Sequence, residues 1–351
     1  MLAFVPAVFA SQRLRPDSHT LLFVLSVCAI IPLASLLSLA TESVAARTGD
    51  AVGGLINATL GNLTELVIAL AALHDGMYVL VKASLVGAMV ANTLFVLGMS
   101  FLLGGLRHHV QEYNRVNARF QAAMLFLATV SILIPSAVRE ADWGPGAQFT
   151  QKLSLALALV LLTSYGLGIW FSLKTHREFF ISAKHGEIGE VLLPLGVAVG
   201  TLVVVTVLVA LTSEVFVESV EQTALTLGMT SMFVGFIVVA LVGGAAEMGS
   251  AFVAARKDRL DLSVGIAMGS ASQIALFIAP LLVVLSYFLG PHPMDLQFWP
   301  GAVVMIMIAT VAAALATNNG RSTWFFGVFV LMVYLVFAMT LYLLPPQAAA
   351  T

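Results

Sequence analysis

Of 351 residues, 60% are hydrophobic and 10% charged, and the mean hydropathy is +1.01. Soluble domains are roughly 45–50% apolar and about 25% charged, so an aqueous globule and a disordered chain are excluded. A net charge of −2 offers no footprint for nucleic acid, and a single cysteine, Cys28, excludes an internal disulfide and a multi-cysteine zinc site.

One bilayer crossing takes about 20 apolar residues. The first ten, MLAFVPAVFA, are too few and lack the basic start of a signal peptide; they read as a shortened extra helix. Ten longer apolar stretches follow, near 21–40, 52–73, 80–104, 120–138, 150–173, 190–213, 228–255, 262–289, 297–317 and 323–344. Hydrocarbon offers no water to a broken backbone, so each must be helical. Continuous apolar runs such as Leu153–Leu162 lack the alternation of barrel strands. The expected fold is therefore an all-α membrane protein with about ten transmembrane helices. Loops after the odd-numbered stretches hold eleven of the sixteen basic residues, including Arg47, Arg115, Arg119, Lys184 and Arg256. That side should be cytoplasmic, which leaves the C-terminus outside.

The chain also repeats itself. At an offset of 182, Gly61-Asn62-Leu63-Thr64-Glu65 aligns with Gly243-Gly244-Ala245-Ala246-Glu247, and Ala69, Ala72, Leu80 and Gly87 align with Ala251, Ala254, Leu262 and Gly269. The copies lie in the second and seventh stretches. Five spans apart, they must point in opposite directions, as in transporters built from inverted repeats. The expected organisation is an N-terminal segment at 1–20, a first five-helix repeat at 21–173, a cytoplasmic linker at 174–189, a second five-helix repeat at 190–344 and a tail at 345–351.

Only two acids, Glu65 and Glu247, fall deep within an apolar stretch, and no Lys, Arg or His lies mid-span beside them. A charged residue at mid-bilayer costs about 2.5–3.5 kcal/mol. Such a carboxylate takes either a proton or a cation, and a protein that alternates between the two exchanges them. Asn62, three residues before Glu65, adds an amide oxygen on the same helix face. Gly61, Gly243 and Gly244 weaken their helices, which serves ion access or close packing. Further oxygens come from Ser84, Asn92 and Thr93 in the third stretch and from Ser270, Ser272 and Gln273 in the eighth. Hard oxygens at this number suit calcium, although packing is an equal reading for the last three. Nearby thiolates or imidazoles that would favour a softer metal are lacking.

GNLTELVIALAAL at 61–73 and GGAAEMGSAFVAARKDRLDLSVGIAMGSASQIALFIAP at 243–280 resemble the two α-repeats of the calcium/cation–proton exchangers, in the sodium/calcium exchanger superfamily. ATES at 40–43, TSE at 212–214 and NNGRSTWFFG at 318–327 extend the resemblance over nearly the whole chain. It implies that Glu65 and Glu247 bind cation and proton, with Asn62, Ser272 and Gln273 as ligands and Ser270 adjacent, and that Glu42 and Glu214 line the ion pathway. The pattern departs where Gly244 replaces a usual asparagine, Met248 a frequent histidine, Asn319 an aspartate and Phe326 a glutamate. Neither copy has the proline that usually precedes the glutamate in sodium-coupled relatives.

The expected function is secondary active cation/proton antiport, calcium against protons, by alternating access. The rival is a monovalent exchanger of sodium or potassium against protons. An intramembrane lipid-acting enzyme lacks a nucleophile–base pair or metal cluster, and a nucleotide-driven pump lacks a P-loop. No enzyme activity and no cofactor are expected; the cargo is Ca2+ or another cation, and H+. The partners are inorganic cations, protons and the lipid bilayer, without nucleic acid, and assembly into a homo-oligomer is left open. Short loops point to a prokaryotic plasma membrane.

Overall fold

The computed structural model describes residues 2–140, 147–176, 178 and 192–344. Most of the expected linker at 174–189, with Arg177, Lys184 and Glu187, lies outside the described residues, as do Glu190 and the tail at 345–351.

Each of the ten apolar stretches is mainly helical over its described residues. In chain order the helices are α1 (Phe4–Leu14), α2 (His19–Arg47), α3 (Asp50–Leu60), α4 (Leu63–His74), α5 (Tyr78–His108), α6 (Arg115–Glu140), α7 (Ala147–Trp170), α8 (Leu195–Thr226), α9 (Ser231–Gly243), α10 (Ala245–Arg256), α11 (Leu260–Leu285), α12 (Pro300–Ala316) and α13 (Trp324–Leu343). Among the described residues, seven helices are long and apolar enough to cross a membrane, and the bent pairs α3–α4 and α9–α10 raise the number to nine. Helix α12, at 17 residues, is shorter than that standard. The apolar start of the chain forms α1, whose Val5 and Val8 are buried against α2.

The breaks follow local chemistry. Glycine and asparagine are poor helix formers, and α3 gives way to α4 across Gly61 and Asn62 with a bend of 40°. The second broken helix is interrupted at Gly244. The repeat offset holds for the backbone as well: Leu63–His74 shifted by 182 coincides with Ala245–Arg256. Of the four π-helical turns among the described residues, two match in the same way, since Ala91–Val96 shifts onto 273–278 against the turn at Ile274–Ile278, whereas Val234–Val239 falls on ordinary α-helix in the other copy.

The chain forms two compact units, each drawing on both sequence halves: residues 1–87, 189–246 and 338–351 in one, 88–188 and 247–337 in the other. In the first unit α2 and α8 run antiparallel. Phe23 near the start of α2 stacks on Phe216 at 5.2 Å, whereas Arg47 at its end donates to the Leu193 carbonyl just before α8 at 3.0 Å. Leu22, Ala29, Leu33 and Leu37 pack there against Val205, Val209 and Val215. Helix α8 runs to Thr226, well past the stretch expected to end at 213. Its 32 residues measure about 48 Å against a hydrocarbon core of about 30 Å, so Glu214, Glu218 and Glu221 lie exposed on helix rather than in a loop.

In the second unit a short antiparallel ribbon pairs β1 (Val110–Glu112) with β2 (Arg321–Thr323). Gln111 is buried beneath it and donates to the Ala255 carbonyl and to Asp258, both at 3.0 Å. The Tyr113 hydroxyl donates to the Ala316 carbonyl at 3.1 Å. Burial pushes this phenol up to about 12, so it remains a donor at physiological pH. These bonds fasten the 110–114 loop to the ends of α10 and α12.

Candidate ion-exchange site

In the first unit, Glu65 sits in the first turn of α4, directly after the break. Its side chain is only 9% exposed. Among the described residues, neither carboxylate oxygen has a hydrogen-bond partner. The carboxyl lies against the end of α9: a Cβ on Gly243 would sit 3.0 Å from Glu65 Cγ and 3.7 Å from Oε1. A larger residue there would crowd the Glu65 side chain, which would have to shift by a few tenths of an ångström. Asn62, the residue at the break itself, is buried, and its side chain does not cap α4. Glu42 is half-buried on α2 and accepts from Ser38 at 2.9 Å; Glu214 is exposed on α8.

In the second unit, Glu247 lies in the first turn of α10 and is half-buried. Asn92 and Ser270, distant in sequence, are brought together: Asn92 Nδ2 donates to Ser270 Oγ at 3.0 Å. Asn92 lies within the Ala91–Val96 π turn, and its Oδ1 is buried without a hydrogen-bond partner among the described residues. Ser272 is buried and donates to the Gln121 carbonyl at 3.1 Å, which leaves its lone pairs for a cation. Gln273, buried, directly precedes the Ile274–Ile278 π turn. Of the other oxygens, Ser84 and Thr93 bond back to carbonyls of their own helix. The described residues contain no group of three or more His, Cys, Asp or Glu that could hold a metal ion. The available chemistry is that of a few carboxylates among neutral oxygens, suited to a hard cation in transit.

The sodium/calcium exchanger family model matches residues 18–174 and 197–343. This chain belongs to that family. The exchanger is 38% identical over 98% of its length to a Ca(2+)/H(+) antiporter of Aphanothece halophytica, of which it covers 96%. It is 36% identical to the Ca(2+)/H(+) antiporter ChaA of Bacillus subtilis, with 92% of each chain covered. Its fold matches the structure of native YfkE with a TM-score of 0.84 at 34% identity, over 97% of this chain and 98% of that one. The H+/Ca2+ exchanger CAX shares the fold, with a TM-score of 0.74 at 14% identity over 99% and 91% of the two chains.

Sequence reasoning missed two features of this exchanger. One is Ser38 as the partner of Glu42; its i, i+4 spacing was the available signal. The other is the set of π turns, among them Ala91–Val96 and Ile274–Ile278, which no residue pattern announces but which often mark functional positions in helices.

Proposed function

We propose that this exchanger is a Ca2+/H+ antiporter in which Glu65 and Glu247 bind either the cation or protons. The observation that carries the reading is the buried Glu65 carboxyl, without a hydrogen-bond partner among the described residues and set against the Gly243 end of a second broken helix. An ionised acid there is costly in hydrocarbon, so proton and cation compete for it. With both acids ionised the site carries a charge near −2 and accepts one divalent ion; with both protonated it is again neutral. Either loaded form crosses cheaply, whereas the empty charged form does not, and that difference couples the two fluxes.

Asn62, Asn92, Ser270, Ser272 and Gln273 complete the proposed oxygen set. Glu42 and Glu214 are proposed for the pathway: the first is half-buried on α2 and the second exposed on α8. Two inverted five-helix halves, 21–173 and 190–344, joined by a cytoplasmic linker, would alternate access to the site. The matched break and π-turn positions at one constant offset support this arrangement. The names of the bacterial relatives support calcium as cargo, and their bacterial sources fit a prokaryotic plasma membrane as location.

The deciding experiment uses everted vesicles with an imposed proton gradient, scanned over Ca2+, Na+ and K+. Glu65→Gln abolishes calcium-driven proton movement; exchange persisting at the wild-type rate would refute the assignment. A monovalent cargo is the second reading, because Gly244 supplies no amide oxygen where Asn62 stands in the other copy. Saturable proton flux with Na+ or K+ but not Ca2+ would establish it instead.

A further inference from the structure

We propose that the groove between α6 and α12 binds one anionic phospholipid, with its phosphate at Arg119 and an acyl chain along the groove. The groove has a volume of about 420 Å3, within the range of small-molecule sites. Small side chains, Ala122, Ala123 and Ala314, open the space between the helices. Phe126, Val311 and Leu315 form its walls and are 58%, 50% and 68% exposed. On a membrane helix such exposed apolar side chains meet hydrocarbon, so the occupant is a lipid chain.

The polar groups sort themselves along the groove. Thr129, three residues beyond Phe126 on α6, donates its hydroxyl hydrogen to the Leu125 carbonyl at 2.9 Å. The 2.9 Å bond between Thr129 and Thr310 is therefore donated by Thr310. Thr317 donates to the Ala313 carbonyl. No hydroxyl hydrogen of the lining is left for a headgroup at depth. The mouth is different. Arg119 donates to Asn318 Oδ1 at 2.8 Å, which occupies one of its five N–H donors. This bond fixes the amide orientation, so Asn318 Nδ2 points away from the guanidinium as a further donor. Arg115, one turn earlier, is also exposed. The neighbouring Arg321 is neutralised by Glu112 at 2.7 Å. The mouth thus offers a held guanidinium and an amide N–H to an anion, on the side of the chain richest in basic residues. Planar donors of this kind recognise phosphate, and anionic leaflets favour basic residues at their surface.

The test is native mass spectrometry of the full chain, purified from detergent containing equal phosphatidylglycerol and phosphatidylcholine. The wild type should retain phosphatidylglycerol in preference. Arg119→Gln and the groove-filling Ala314→Phe should each cut that retention about fivefold, and Arg119→Lys should keep part of the preference. Equal retention of the two lipids by the wild type overturns the proposal, as does unchanged retention in Ala314→Phe. A change in oligomeric mass in Ala314→Phe with phosphatidylglycerol retention intact also overturns it, and assigns the groove to a second copy of the chain. Should Ala314→Phe fail to fold, identical retention by Arg119→Gln and the wild type overturns the proposal on its own.

Discussion

A carboxylate in oil has few stable states, and that is why Glu65 and Glu247 could be singled out from the sequence. Their surroundings could not. The two differ in burial, Glu65 buried and Glu247 half-buried, although they occupy matched positions in the two copies. The pairing of Asn92 with Ser270 spans 178 positions of sequence, and no local pattern encodes it. Its consequence is specific. The amide hydrogen is used on Ser270, and a buried carbonyl oxygen is left over. An unmet buried acceptor costs roughly 1–3 kcal/mol, which a cation would offset. Asn92→Ala should therefore raise the half-saturating Ca2+ concentration about tenfold, equivalent to ~1.4 kcal/mol, as read from calcium-driven proton uptake at fixed pH. An unchanged half-saturation with a lowered melting temperature would make Asn92 a helix bridge only.

Helices with this composition were legible because apolar length alone forces them in a membrane. Their interruptions were only partly so. Gly61 and Gly243–Gly244 marked the breaks, but the π turns at Ala91–Val96 and Ile274–Ile278 depend on how neighbouring helices seat the chain. The β1–β2 ribbon was not legible either, because three residues per strand show no usable alternation. Helix α8 outran its expected end because Glu214, Glu218 and Glu221 recur at helical spacing on an exposed face, where charge does not stop a helix. Close helix crossings depend on small residues. At Gly87 any Cβ would run into the Phe236 backbone, whereas nothing lies within 4 Å of the Cβ position at Gly166. Gly87→Val should lower the melting temperature in detergent, at a cost of about 1–3 kcal/mol. Gly166→Ala should be neutral or stabilising by up to ~1 kcal/mol. Equal effects of the two substitutions would show that space at Gly87 is not limiting.

For the whole molecule, the uneven division of basic residues predicts which loops face the cytoplasm. His108 lies at the Arg256 carbonyl, 3.0 Å away, which puts the end of α5 and the end of α10 on one side, as the charge count requires. With Cys28 replaced by serine, a cysteine at Lys257 should react with an impermeant maleimide only in everted vesicles, and one at His292 only in right-side-out vesicles. The reverse labelling would invert the topology. The sequence alone determined a membrane-spanning helical chain, its repeat and its pair of acids within apolar stretches, because insertion into hydrocarbon penalises every exposed charge and every unpaired backbone group. Only the tertiary structure decided which oxygens meet, which glycines are needed for space, and that each compact unit draws on both halves of the chain. Those outcomes rest on packing between segments far apart in sequence, where one apolar helix surface looks much like another until its partner is in place.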